Sequence, residues 1–285
     1  MTGLPNADAA KLDPTAYLAR IGHDGPTDPT EQTLHALVAA HGRTIPFENL
    51  DPVLGVPIDQ LGPVVLADKL VDRRRGGYCY EHNGLVGFVL EALGFGVARI
   101  TGRVVWMREP EAPLPAMTHQ VLSVTVPGDD QPFLVDVGFG GQTLSSPIRL
   151  VAGPVQKTRH EPYRIVEDGA HLVLQAQVRD TWQSLYVFTT EPRPRIDLEV
   201  GSWYVSTHPS SIFVTGLTAA LVTDEARYNL RGRNLAIHRA EGSEKVRFDT
   251  AAQVLDVLAD RFGIDLDDLG DRGVLEARVT QVLDT

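Results

Sequence analysis

The spacing of apolar residues changes along the chain, and each change predicts a change of architecture. In residues 1–95 the spacing is helical. Asp28-Pro29-Thr30-Glu31 combines an N-cap residue, a proline at the first helical position and a carboxylate three residues after the cap, which predicts a helix start. Leu34, Leu37, Val38 and His41 continue it as a stripe. Val65 to Arg73 reads as a second helix, with Leu66, Leu70 and Val71 on one side. A third begins near Cys79 and runs through Leu85, Val89, Leu90 and Leu93 to a stop at Gly94. Between the first two lies Ile45-Pro46-Phe47-Glu48-Asn49-Leu50, irregular and punctuated by proline. From Val97 the pattern shortens to strands: Val97 to Trp106, Gln120 to Val126, Phe133 to Val137, Tyr163 to Glu167, His171 to Val178 and Trp182 to Thr189. Such spacing predicts an antiparallel sheet or barrel. The last third mixes strand-like runs (Phe213 to Val222, Asn234 to Arg239, Lys245 to Phe248) with helices over Asp249 to Gly263 and Val274 to Leu283. The expectation is an α+β chain without internal repeats, divided near residues 95 and 195.

Composition narrows the function. With 285 residues, 43% hydrophobic and 22% charged, the chain can bury a substantial core. A net charge of −11 argues against nucleic acid or anionic membrane as the main partner. No apolar run approaches the length of a membrane span, and Met1 to Asp13 has no signal pattern, so a cytoplasmic setting is expected. One cysteine permits no internal disulfide, and the histidines other than His119 show no ligand spacing, so no metal is expected.

That one cysteine, Cys79, follows Gly76-Gly77-Tyr78 and opens the third helix. Unpaired backbone N–H groups and the helix dipole favour a thiolate over a thiol there. Taken alone, a single buried thiol is an ordinary small hydrophobe.

His119 and Asp136 lie on strands joined by the turn Pro127-Gly128-Asp129-Asp130, which predicts a hairpin. A register in which paired residue numbers sum to an odd value puts Leu122, Val124 and Val126 with Phe133, Val135 and Val137 on one apolar face. An even sum would mix the faces. The odd register also brings His119 and Asp136 together on the opposite face, directly across (Cβ roughly 5 Å apart) or diagonal (roughly 7–8 Å). A carboxylate beside an imidazole fixes its tautomer and stabilises the imidazolium. Cysteine at a helix start, then His and Asp on strands, matches the papain-like order of a nucleophilic site.

The segments Ile45-Pro46-Phe47-Glu48-Asn49-Leu50, Arg75-Gly76-Gly77-Tyr78-Cys79-Tyr80-Glu81, Thr118-His119 and Val135-Asp136-Val137-Gly138-Phe139-Gly140 resemble the arylamine N-acetyltransferases, the bacterial ones closely. The resemblance spans Asp13 to about the last helix and leaves a short N-terminal extension. It implies a helical bundle carrying the cysteine (1–95), a β-barrel carrying His and Asp (96–195), and an interdomain helix with an α/β lid (196–285). It also implies that Cys79, His119 and Asp136 form the family triad. Acetyl-CoA would acetylate Cys79, and a small aromatic amine or hydrazine would then take the acetyl group. Phe47, Tyr80, Val104, Thr118, Gly138, Phe139 and Phe213 are the implied substrate pocket. Asn229 and Lys245 are the implied CoA contacts, with Arg231, Arg233, Arg239 and Arg247 as further cations of the same region.

Other residues carry plainer expectations. Arg75 and Glu81 read as a buried ion pair, the Arg73-Arg74-Arg75 run as a solvated helix end, and Trp106, Trp182 and Trp203 as core. Gly138-Phe139-Gly140-Gly141 lacks the strand–loop–helix context of a phosphate loop and reads as close backbone approach to substrate. Two other functions fit the same residues: a cysteine hydrolase or transglutaminase-like acyltransferase, and a non-catalytic binding module. The second usually lacks a triad member, and none is missing here. The amine, the acyl chain and the oligomeric state are not legible.

Overall fold

The computed structural model describes residues 12–109 and 111–284, so most of the N-terminal extension lies outside the described residues. Helical spacing upstream is realised as α1 (Pro14–Arg20), α2 (Glu31–Thr44), the short α3 (Leu50–Val53), α4 (Pro63–Ala67) and α5 (Cys79–Ala92). The cap of α2 is Thr30, not Asp28: the Thr30 side chain accepts from Thr33 N–H, while its own N–H bonds Asp28 O. Asp28 and Pro29 therefore form a turn ahead of the helix. The second expected helix is divided, with α4 passing into a π-helical turn over Asp68–Asp72 that faces Lys69 inward. Every residue of α5 from Cys79 to Leu90 is buried, which makes it a central rather than an amphipathic helix.

The strands after α5 are β2 (Gly96–Val104), β3 (His119–Thr125), β4 (Phe133–Val135), β5 (Ile148–Arg149), β6 (Gln156–Lys157), β7 (Pro162–Asp168), β8 (His171–Val178) and β9 (Thr181–Phe188); the pair Phe47–Glu48 upstream is β1. They form one antiparallel sheet in the order β5-β4-β3-β2-β9-β8-β7-β6, an eight-stranded, nearly closed barrel. Its seam is knit by a side chain: the Gln156 amide accepts from Arg149 N–H at 2.6 Å and donates to Arg149 O at 2.8 Å, as a backbone amide would. The β3–β4 hairpin takes the odd register, pairing Leu122 with Val135, Ser123 with Leu134 and Val124 with Phe133. Leu122, Val124, Phe133, Val135 and Val137 pack against α5 and the helical core. The opposite face is also apolar, with Val121 and Leu134 inside the barrel.

Beyond the barrel come α6 (Arg195–Thr207), α7 (Ile212–Thr215), β10 (Thr218–Val222), β11 (Ala226–Arg231), β12 (Asn234–Arg239), β13 (Gly242–Arg247), α8 (Ala251–Asp260) and α9 (Arg272–Leu283). Phe213 lies on α7 rather than on a strand, because the Ser211 hydroxyl caps a helical turn by accepting Phe213 N–H. The second sheet runs β1-β10-β11-β12-β13. One of its faces is buried with α8 and α9. The other carries Asn229, whose side chain meets Gly141 of the barrel.

Candidate active site

The site begins at the first turn of α5. Tyr78 N–H bonds Glu81 Oε2 at 3.1 Å, and Glu81 Oε1 is held by Lys69 Nζ at 2.6 Å. Gly76 is required by close approach: a Cβ there would fall 2.0 Å from Pro46 O. Cys79 follows, nearly buried, with Sγ 3.7 Å from Thr118 O.

His119 opens β3, and Asp136 lies one residue past the β4 ladder, two positions off in register. They form the diagonal arrangement the hairpin parity requires, and His119 Nε2 to Asp136 Oδ2 is 2.8 Å. This leaves Nδ1 of His119 uncommitted to Asp136, and Cys79 is near enough to add to the support of the imidazolium. Burial opposes an imidazolium at His119. The Asp136 charge, the hydrogen bond to it and the contact with Cys79 outweigh burial and raise the pKa to about 10. Burial likewise pushes Asp136 up, but the His119 charge and the hydrogen bonds from His119, Asn83 and Gly138 hold it below the usual carboxylate range. Two of those bonds reach Oδ1, from Asn83 Nδ2 at 3.0 Å and from Gly138 N–H at 3.1 Å.

Asn83 was not singled out by sequence reasoning, although it lies four residues after Cys79 and hence on the same helix face. Its amide also donates to Gln120 O at 2.6 Å and accepts from Val137 N–H at 3.0 Å, tying α5 to both hairpin strands. Gly138 completes the fit. A Cβ there would stand 2.7 Å from Cys79 Cα, so the absence of a side chain at this glycine lets the end of the β4 strand approach the nucleophile's backbone. Tyr186 is a second residue the sequence did not mark. Its ring centroid is 4.8 Å from that of His119, and burial together with the Asp136 charge pushes its phenol well above the ordinary range.

Aromatic rings lie against His119 and against Tyr78, the residue before the cysteine. Phe139 meets His119 edge-on at 5.2 Å, Phe47 lies 6.0 Å from Phe213, and Phe213 lies 5.6 Å from Tyr78. Tyr80 is buried, and its hydroxyl abuts Gly201 of α6. Val104 pairs with Tyr186 across β2–β9, and Thr118 presents its carbonyl to Cys79. Behind Phe47 runs a buried hydrogen-bond chain: Tyr17 Oη to His41 Nδ1 at 2.9 Å, His41 Nε2 to His82 Nδ1 at 2.7 Å, His82 Nε2 to Pro46 O at 3.1 Å. Pro46 O only accepts, so His82 Nε2 carries a proton; with both rings neutral, His82 Nδ1 then accepts from His41 Nε2, His41 Nδ1 accepts from the Tyr17 hydroxyl, and every donor in the chain points the same way. Burial lowers His82 to about 4 and His41 well below its usual value.

Phe47, Ala220, Asn229, Ala236 and Lys245 pair in one row across the second sheet. The two expected CoA contacts thus share a face with Phe47; Lys245, at the far end, is exposed. Arg233 is engaged by Asp284, Arg239 by Glu244 and Arg247 by Asn234, which leaves Lys245 and Arg231 the less committed cations.

Three plainer expectations need correction. Arg75 and Glu81 do not pair with each other. Arg75, fully buried rather than solvated, binds Glu48 at 2.7 Å and Asp51 at 3.0 Å. Lys69 takes Glu81 and Asp51, each at 2.6 Å. Burial raises the Glu81 carboxyl to about 7 against the pull of Lys69. The third correction is Trp203, which is 53% exposed on α6. Among the described residues no cluster of His, Cys, Asp and Glu is arranged for a metal, and no helix is long and apolar enough to cross a membrane.

Comparison with known proteins gives one consistent result. An N-acetyltransferase family model matches residues 30–270. The chain is 69% identical over 274 residues to an arylamine N-acetyltransferase of Mycolicibacterium smegmatis, covering 96% of this chain and 99% of the relative. It is 62% identical over 272 residues to that of Mycobacterium tuberculosis H37Rv, covering 95% and 96%. Among solved structures, M. smegmatis arylamine N-acetyltransferase aligns with a TM-score of 0.94 at 69% identity, covering 96% of this chain and all of that one. The Mycobacterium marinum enzyme in complex with CoA aligns with a TM-score of 0.93 at 61% identity, covering 95% and 99%.

Proposed function

The chain belongs to the arylamine N-acetyltransferase family of acyltransferases, and from that premise we propose that it moves an acetyl group from acetyl-CoA to the nitrogen of arylamines or arylhydrazines by a ping-pong reaction through acetyl-Cys79. The observation that carries this reading is the convergence of Cys79 at a helix start, His119 beside it, and Asp136 at 2.8 Å from His119.

An imidazolium held by a buried carboxylate is the natural counter-ion of a thiolate. Cys79 Sγ attacks the thioester carbonyl of acetyl-CoA, the carbon–sulfur bond to CoA breaks, and the departing CoA thiolate takes the proton of His119. Exchange between similar thioesters is close to thermoneutral, so acetyl-Cys79 stays reactive. The amine nitrogen then attacks, His119 accepts its proton, and Cys79 leaves as a thiolate, which restores the ion pair. Cys79 is the first residue of α5, so its N–H has no acceptor within the helix and is available to the developing oxyanion.

The aromatic rings of Phe47, Phe139 and Phe213 suit a flat apolar acceptor. Asn229 and Lys245 suit the donor: they lie in one row from the site toward the surface, and a relative of the same fold is described with CoA bound.

Intact mass after mixing with acetyl-CoA tests the proposal. A single acetyl adduct should appear on Cys79, be absent in Cys79→Ala, and be discharged by an arylamine. An adduct lost to water as fast as to amine would instead make the chain a hydrolase.

A further inference from the structure

We propose that Arg227 of the C-terminal sheet is a positioning residue for the acceptor half of the reaction, fixing the 138–143 loop and through it the Phe139 ring. The inference rests on the roles given above to Cys79, His119 and Phe139.

Arg227 is 1% exposed, and its whole guanidinium is engaged. Nε lies 2.9 Å from both Glu161 oxygens, and Nη2 donates to Glu161 Oε2 at 2.6 Å and to the Tyr163 hydroxyl at 3.2 Å. Nη1 reaches Thr143 O at 3.0 Å and Gly141 O at 3.3 Å. With its donors committed in this fork, Arg227 has none to offer a CoA phosphate. What it grips is the backbone of the loop that follows Asp136. Tyr163 adds a bond from its hydroxyl to Gln142 O at 3.0 Å. Asn229, two residues along β11 on the same face, presses its amide against Gly141.

On the site side the same loop meets the chemistry. The Thr143 hydroxyl donates to Asp136 O at 2.8 Å and accepts from Phe139 N–H at 3.3 Å. The two clients differ in what else holds them. The Asp136 carboxylate has His119, Asn83 and Gly138 N–H. Phe139 has the Thr143 hydroxyl for its backbone and only ring contacts for its side chain. Loosening the loop therefore disturbs the wall of the acceptor pocket before it disturbs the triad.

The experiment compares wild type and Arg227→Gln, as full-length chains checked for folding, in the two half-reactions by stopped flow. Arylamine discharge of acetyl-Cys79 should show a roughly tenfold higher KM in the variant, in line with the cost of sub-ångström misplacement. Acetylation by acetyl-CoA should stay within about threefold, and so should discharge by hydroxylamine, which is too small to need the wall. A role confined to stability lowers the melting temperature and moves no rate of the folded enzyme, and that result overturns the proposal. So does equal slowing with arylamine and hydroxylamine. Should Arg227→Gln fail to fold, Tyr163→Phe removes one oxygen from the same cluster and must shift the arylamine KM in the same direction. Failure of the underlying reading looks different: wild type itself then forms no acetyl adduct.

Discussion

Replacing Gly138 by alanine adds one methyl group where the barrel touches the nucleophile. Its Cβ would stand 2.7 Å from Cys79 Cα, 3.0 Å from Asn83 Nδ2 and 3.2 Å from Cys79 O, whereas ordinary contact begins at 3.4 Å. Two of those three atoms are backbone of a helix buried from Cys79 to Leu90, so no side chain can swing aside to relieve the clash. The first turn of α5 and the Asp136 strand must part by about 0.7 Å, at an overpacking cost of about 1–3 kcal/mol. At about 2–4 °C per kcal/mol the melting temperature should fall by several degrees while the protein stays folded. The chemistry should suffer more. A displacement approaching 1 Å between nucleophile and base costs on the order of 10–100-fold. Both half-reactions use the Cys79–His119 pair, so acetylation and amine discharge should slow together. Stopped-flow rates beside a thermal melt separate these effects. A folded Gly138→Ala enzyme that acetylates within threefold of wild type would refute the claim that this contact sets the geometry of the pair.

Three further outcomes are expected. In Asp136→Asn the main support for the His119 imidazolium is gone while its burial remains and only the Cys79 contact is left, so its titration, followed by NMR, should fall well below about 10, with acetylation reduced by orders of magnitude; an unmoved titration refutes the assignment. The depressed values of His41 and His82 mean that the unfolded chain binds more protons below pH 6.5, so unfolding free energy should decline as pH falls from 6.5 towards 4, and urea titrations should show a shallower decline in His82→Gln; equal slopes would show the ring is not buried neutral. Phe47→Ala should cost about 1–3 kcal/mol of arylamine binding and slow discharge far more than acetylation; equal slowing of both steps would remove Phe47 from the acceptor wall.

What the sequence made legible is what short-range rules govern. Alternation placed β2, β3, β4, β7, β8 and β9 within two residues but missed β11 and the two-residue strands β1, β5 and β6, which are too short to show a period; parity fixed the β3–β4 register because one wrong step would have turned either Ser123 or Asp136 into the face that packs on α5. Where two local signals competed, geometry chose: Asp28 and Thr30 both qualify as caps, and Pro29 commits the first to a turn. Ser211 similarly bends an Ile-Phe-Val run, strand-like in composition, into α7. Partners far apart in the chain were not legible. Glu48, Asp51, Lys69, Arg75 and Glu81 are ordinary charged residues until the π-helical turn gathers them, so the expected Arg75–Glu81 pair was the nearest guess in sequence and the wrong one in space. Asn83 could have been found from its spacing to Cys79; Tyr186 could not, since nothing local distinguishes it from the other aromatic residues of the barrel.

The seam at Gln156 bears on how these molecules behave toward one another. An open eight-stranded sheet has two rims of unsatisfied amides, each a template on which a neighbouring molecule can lay a strand. Here both rims are only two residues long, and one glutamine amide, with 2.6 and 2.8 Å bonds to Arg149, occupies the positions an intruding chain would use. At this rim the Gln156 side chain, together with the backbone bridge from Ala152 and Gly153 to Ile165, takes the place a neighbouring strand would fill.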